Sequence, residues 1–121
     1  MELARLDKYK TKYKEFGESI NSLQTYLNGV VQASSDQYPV VTPDNVSRVL
    51  HVPELVAIFL LSLAEREHLV IKIYKVWTED DTLLGEYPDD ASIPEELTDD
   101  NTGKQVDKSH AIIDLVFQLE K

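Results

Sequence analysis

Cysteine is absent from this 121-residue chain, which excludes disulfides, thiol catalysis and thiolate-bound zinc. Glycine is scarce, with 4 residues, and the chain contains no Gly-rich phosphate loop, Gly-x-Ser-x-Gly elbow or His-Glu-x-x-His helix. Cations are the minority: 12 Lys and Arg stand against 22 Asp and Glu, a formal charge of -10, so a nucleic-acid backbone is on average repelled. Long apolar runs are missing too. The longest, residues 55–61, falls far short of the ~20 residues that span a bilayer, and the first eight residues hold no apolar core of a secretory signal. The three histidines, His51, His68 and His110, are dispersed and read as surface or capping residues. These absences point to a cytoplasmic, non-enzymatic protein with no cofactor, no metal and no membrane segment.

What remains is enough for a core. Hydrophobic residues make up 42% of the chain and charged residues 28%, the balance of one ordinary domain or two very small units. Near the start, Leu6, Tyr9, Tyr13, Phe16, Ile20, Leu23, Leu27 and Val30 follow one another at steps of three and four. That period of 3.5 predicts a supercoiled or long bundle helix over residues 1–31, with Leu6, Tyr13, Ile20 and Leu27 at a positions and Tyr9, Phe16, Leu23 and Val30 at d positions. A continuous helix over residues 2–28 would be roughly 40 Å long and would reach beyond its own domain. Asn28-Gly29 supplies its expected stop. The seam can pack on its own chain or dock a partner or second copy; the tyrosines, each with one polar end, favour an interface, and a homo-oligomer is expected. Arg5, Lys8, Lys10, Lys12 and Lys14 make the first residues basic in an otherwise acidic chain.

Residues 38–77 carry helix punctuation. Thr42 before Pro43 is an N-cap followed by the one helical position that suits proline, and Pro53 opens a second helix from Glu54 to about Glu67. A strand follows from Leu69 to Val76, with Ile71, Ile73 and Trp77 on one side and Val70, Tyr74 and Val76 on the other. Helix, tight turn, helix, strand over residues 38–87 resembles the winged helix-turn-helix fold, on the wording Val41-Thr42-Pro43-Asp44-Asn45-Val46-Ser47-Arg48-Val49-Leu50-His51-Val52-Pro53. In a DNA-reading member the second helix enters the major groove with polar and basic residues; here its first turns hold Glu54, Leu55, Val56, Ala57 and Ile58. Winged helices also serve as protein-docking modules, and the apolar face of Leu55, Phe59 and Ser62 is the candidate docking face, although its stronger reading is simply core. The alternative, a dimeric DNA-binding regulator, would rely on Arg48, Arg66, Lys72 and Lys75 for phosphate contacts.

Residues 76–119 resemble a small zinc ribbon behind a winged helix, through Leu84-Gly85-Glu86-Tyr87, Ile93-Pro94-Glu95 and Thr102-Gly103. The ligands are missing. Thr78 and Asp81 stand where the first thiolate pair falls, and Asp99 and Thr102 where the second falls. Structural zinc takes four Cys or His ligands, so the resemblance implies a metal-free antiparallel β unit over residues 78–121, held by Trp77, Leu83, Leu84, Tyr87, Ile93, Leu97 and Val106. A closing strand alternates through Ile113, Leu115, Phe117 and Leu119. Between residues 78 and 107 carboxylates crowd with Lys104 as the lone cation, but Thr98 and Ser109 occupy the first and last positions of any EF-hand count, so solvated acidic loops are expected.

The expected fold is thus α+β: a heptad helix, a winged-helix unit and a ribbon-like β unit. The expected function is a non-catalytic adaptor that oligomerises or docks a partner through its N-terminal helix. Two alternatives are the DNA-binding regulator and an acidic inhibitor or immunity protein that engages a basic partner.

Overall fold

The computed structural model describes residues 1–120; the last residue of the expected β unit lies outside them. The architecture is mixed α+β, with antiparallel strand pairing. Helices α1 (Asp7–Lys12), α2 (Gly17–Ala33), α3 (Pro43–Leu50) and α4 (Glu54–Arg66) precede most of the sheet. Strands β1 (Val40–Val41), β2 (Val70–Trp77), β3 (Leu83–Tyr87) and β6 (Ile112–Leu119) form one sheet in the order β1-β6-β2-β3. Strands β4 (Glu96–Thr98) and β5 (Gln105–Asp107) form a separate two-stranded ladder.

The chain divides into two compact units, one of residues 1–71 and 117–121, the other of residues 72–116. The N-terminal helices and the α3–α4 hairpin share the first unit, and the strands β2 and β6 are each divided between the two.

The first unit corrects the expected rod. Tyr13 leaves helical geometry at φ -120°, ψ 70°, so α1 ends at Lys12, and a single 3-10 turn over Lys14–Phe16 leads into α2. The two helices pack on each other. Gln24 of α2 fixes the fold-back by donating to the Leu3 carbonyl and the Asp7 carboxylate, both at 2.9 Å. A heptad stripe identifies an apolar face without naming what covers it, and here the two halves of the stripe cover each other and the hairpin.

The expected stop at Asn28-Gly29 is also overturned, since α2 continues through Gly29 to Ala33. A mid-helix glycine costs only about 1 kcal/mol against alanine, too little to end a helix whose Ile20, Leu23 and Leu27 are buried. Helix α3 begins as its cap predicts: Thr42 Oγ1 accepts from the Asn45 N–H at 3.2 Å with Pro43 at the first helical position. It ends at His51 in the left-handed conformation, φ 56°, with the His51 N–H donating to the Ser47 carbonyl. Helix α4 presents Ala57, Leu60, Leu61, Leu63 and Ala64 to the core. Among the described residues, no single helix is long and apolar enough to cross a membrane.

In the second unit, Val76 of β2, Ile93 and Leu97 of β4 are the buried centre, covered by Tyr74, Leu84, Tyr87, Ala111 and Ile113. Alternation places Tyr74 and Val76 on this packed side of β2. Trp77 and Leu83, expected in the same core, instead pair across a register shift between Val76 and Trp77 and stand outside that cluster.

Candidate functional site

The seam residues are the first candidates to locate. Leu6, Tyr9, Ile20, Leu23 and Leu27 are buried within the chain itself. Tyr13 and Phe16 are partly buried because both rings pack on Phe59 of α4, each with centroids 5.3 Å apart. Phe59, a candidate for a docking face that otherwise reads as core, thus takes part in an intrachain aromatic cluster while staying partly exposed, as do Tyr13, Phe16 and Val30 of the seam. Polar bonds close the same junction. The Glu67 carboxylate after α4 accepts from Lys8 Nζ at 2.8 Å and from the Tyr9 hydroxyl, while Arg5 donates to the Glu67 carbonyl at 3.2 Å. Hydrogen bonds from Lys8 and then Tyr9 hold the Glu67 carboxyl below its ordinary pKa. Leu55 differs: it is 81% exposed in the first turn of α4.

Three of the four cations considered for phosphate contact have neighbours that engage them. Arg48 is engaged by Asp44 at 2.9 Å and by Asn45 at 2.6 Å, and Lys75 faces Glu86 at 3.7 Å. Lys72 lies over the Tyr74 ring, and its position three residues from Lys75 puts the two on opposite faces of β2. Arg66 closes α4.

The second unit concentrates charge. Residues 72–116 carry twelve carboxylates against four lysines, so most of the net charge of -10 resides there. Two turns organise these carboxylates, and they occur at the positions where the ribbon resemblance places ligand pairs. In the first, Thr78 Oγ1 accepts from the N–H groups of Asp80 and Thr82 at 3.2 and 3.0 Å, and Asp81 takes φ 64°. In the second, Asp99 Oδ1 accepts from the Asn101 N–H at 2.9 Å, and Gly103 takes φ 72°. Each turn closes through its first residue: Thr78 N–H donates to the Thr82 carbonyl and Asp99 N–H to the Lys104 carbonyl, both at 2.8 Å.

Thr78 and Asp99 are the only buried polar side chains among the described residues, and both line a cleft of about 410 Å³ with Thr102, Lys104 and His110. Thr78 Oγ1 and Asp99 Oδ1 each accept backbone donors that brace their turns. Among the described residues, no group of three or more His, Asp or Glu side chains is arranged to hold a metal.

Acidic turns in this unit are also internally capped. Asp89 Oδ1 accepts from the N–H and hydroxyl of Ser92, and Asp107 Oδ1 from the N–H and hydroxyl of Ser109. Those bonds hold both carboxyls below their ordinary pKa, so they stay charged at neutral pH.

A smaller cleft, about 280 Å³, lies elsewhere in the unit between Trp77, Asp81, Ile112 and Asp114. Sequence reading missed it because its residues are up to 37 positions apart and meet only when β6 lies beside β2. Comparisons with known proteins give no identification: no family model, no curated protein and no solved structure matches this chain.

Proposed function

We propose that this chain is a non-catalytic binding module that engages a basic protein partner through residues 72–116. The observation that carries the reading is the segregation of charge: twelve carboxylates and four lysines in one compact unit, held on short, internally bonded turns. Such a field attracts a basic surface over distances of about a Debye length and repels both nucleic acid and a second copy of itself. What favours this surface over the helix seam is that Leu6, Tyr9, Ile20, Leu23 and Leu27 of the seam are buried in the chain's own core.

The ribbon resemblance is consistent with this role. What supports it is the pair of turns at Thr78 and Asp99, where side-chain oxygens accept backbone N–H bonds in place of a metal-bound thiolate. The helical hairpin α3–α4 followed by β2 and β3 likewise supports the winged-helix resemblance, with the first unit acting as scaffold.

The experiment is affinity capture from a lysate of the source cells, comparing three forms of the chain. One is wild type; one carries Glu79→Gln, Asp80→Asn, Glu95→Gln and Glu96→Gln; the third loses the same charge from the first unit by Glu15→Gln, Glu18→Gln, Asp36→Asn and Glu65→Gln. A basic protein retained by the first and third forms and lost by the second is the expected result, with salt eluting it. Retention by all three, or capture of an acidic protein, would refute the reading.

A further inference from the structure

The cleft of about 280 Å³ between Trp77, Asp81, Ile112 and Asp114 combines an aromatic ring, an aliphatic wall and two carboxylates. Trp77 ends β2, Ile112 and Asp114 open the neighbouring β6, and Asp81 is presented by the left-handed turn between β2 and β3. Positions 112 and 114 alternate onto the same face of their strand, which is why both reach the cleft. Among the described residues, neither the Asp81 nor the Asp114 carboxylate has a hydrogen bond or ion pair. The indole Nε1–H is buried and also lacks a partner, so packing alone sets the ring. Ile112 is 44% exposed beside it.

We propose that this cleft receives an arginine side chain of the basic partner. The proposal rests on the reading of residues 72–116 as the binding surface and adds the contact that gives it specificity. Two uncompensated carboxylates reject an anion, and a purely apolar occupant would desolvate both charges without pairing them. A cation with apolar faces meets both demands. The guanidinium is planar and weakly hydrated; its flat face stacks on an indole while its edge donors reach carboxylates, and the methylene stem covers an aliphatic wall such as Ile112. A lysine ammonium is a strongly hydrated point charge and gains less from the ring.

Trp77 is the single tryptophan, so one indole N–H resonance reports on the cleft and remains readable for millimolar ligands. The full chain is titrated with acetyl-Gly-Arg-Gly-amide, and with the citrulline and lysine counterparts, while that resonance is followed. Saturable movement with the arginine peptide is expected, with none for the neutral citrulline isostere and affinity several-fold weaker for lysine. Asp81→Asn or Asp114→Asn should weaken arginine binding about ten-fold, within the range of one lost charge-assisted contact, whereas Glu18→Gln, in the first unit, should leave it unchanged. Asparagine tolerates the left-handed conformation at position 81, so that variant keeps the turn.

A citrulline response equal to arginine's, lysine binding as tight as arginine, equal weakening by Glu18→Gln, or no saturable movement would overturn the proposal. Such a failure is separable from failure of the broader reading. The captured partner would then still depend on Glu79, Asp80, Glu95 and Glu96, whereas if the partner survives their neutralisation the acidic-surface reading itself falls.

Discussion

Replacing Leu27 by alanine distinguishes a stripe buried in its own chain from a stripe that joins two chains. Leu27 is fully buried, and the truncation removes three carbon groups. At about 0.8 kcal/mol per buried methylene, lost transfer energy accounts for roughly 2.4 kcal/mol, and the unfilled space raises the total into the range of about 2–5 kcal/mol. With a urea slope of about 1–3 kcal/mol per molar, the unfolding midpoint should fall by about 1 M or more. The control is Leu55→Ala, 81% exposed, for which about 0.5 kcal/mol or less is expected.

Helix ellipticity follows the first unit and Trp77 fluorescence the second, so the two transitions are read separately. For a seam packed inside one chain, the midpoints of wild type and Leu27→Ala hold constant as protein concentration is raised, and the large loss persists at the lowest concentration. A wild-type midpoint that climbs with concentration would refute the argument, because only a seam shared between chains couples helix stability to mass action.

Glu67→Gln should destabilise the chain at neutral pH, and the difference from wild type should close as pH falls. The folded carboxyl lies below its ordinary value of 4.5, so its stabilisation is present above that value and disappears as pH drops through the folded pKa; a difference that stays constant down to pH 2.5 contradicts this. Gly29→Ala and Gly103→Ala should have opposite signs in equilibrium unfolding. The first places a methyl in open space within α2 and should stabilise by about 0.5–1 kcal/mol, whereas the second forces φ 72° on a residue with a Cβ and should cost about 1–2 kcal/mol. Thr78→Val removes the acceptor of two backbone donors and should cost about 1–3 kcal/mol, read by Trp77 fluorescence during urea unfolding; a neutral effect would mean that water satisfies both donors.

The elements most legible in the sequence were those with local chemical punctuation. Thr42-Pro43 and Pro53 mark the starts of α3 and α4 because capping and the fixed proline φ act within one turn, and alternation marks β2 and β6 as strands, with β2 one position beyond its expected Leu69 to Val76. The fold-back at Tyr13 was not legible. Steps of three and four describe one long helix and two short helices lying together equally well, and what selects the second is the tertiary pairing of Tyr13 and Phe16 with Phe59, more than 40 residues away. Gly29 misled for a related reason: its helix penalty is local and small, while the burial of Leu23 and Leu27 that sustains α2 is not. Of the candidate surface, the crowding of carboxylates was visible, but the Trp77 cleft required the neighbouring placement of β2 and β6, which hydrophobic alternation alone does not supply.

The two outcomes are connected. A chain of this size has few apolar residues to spare, and folding the N-terminal stripe onto α3 and α4 uses its largest apolar face internally. The large apolar residues that remain exposed include Leu55, Ile71 and Ile112. The surface with a concentrated physical property is the acidic one, which costs self-repulsion among twelve carboxylates and is tolerable only on short turns whose backbone donors are already satisfied. Charge at this density accelerates encounter with a basic surface but discriminates poorly among such surfaces. Discrimination therefore has to come from a shaped contact within the field, and the unpaired carboxylates flanking Trp77 provide one.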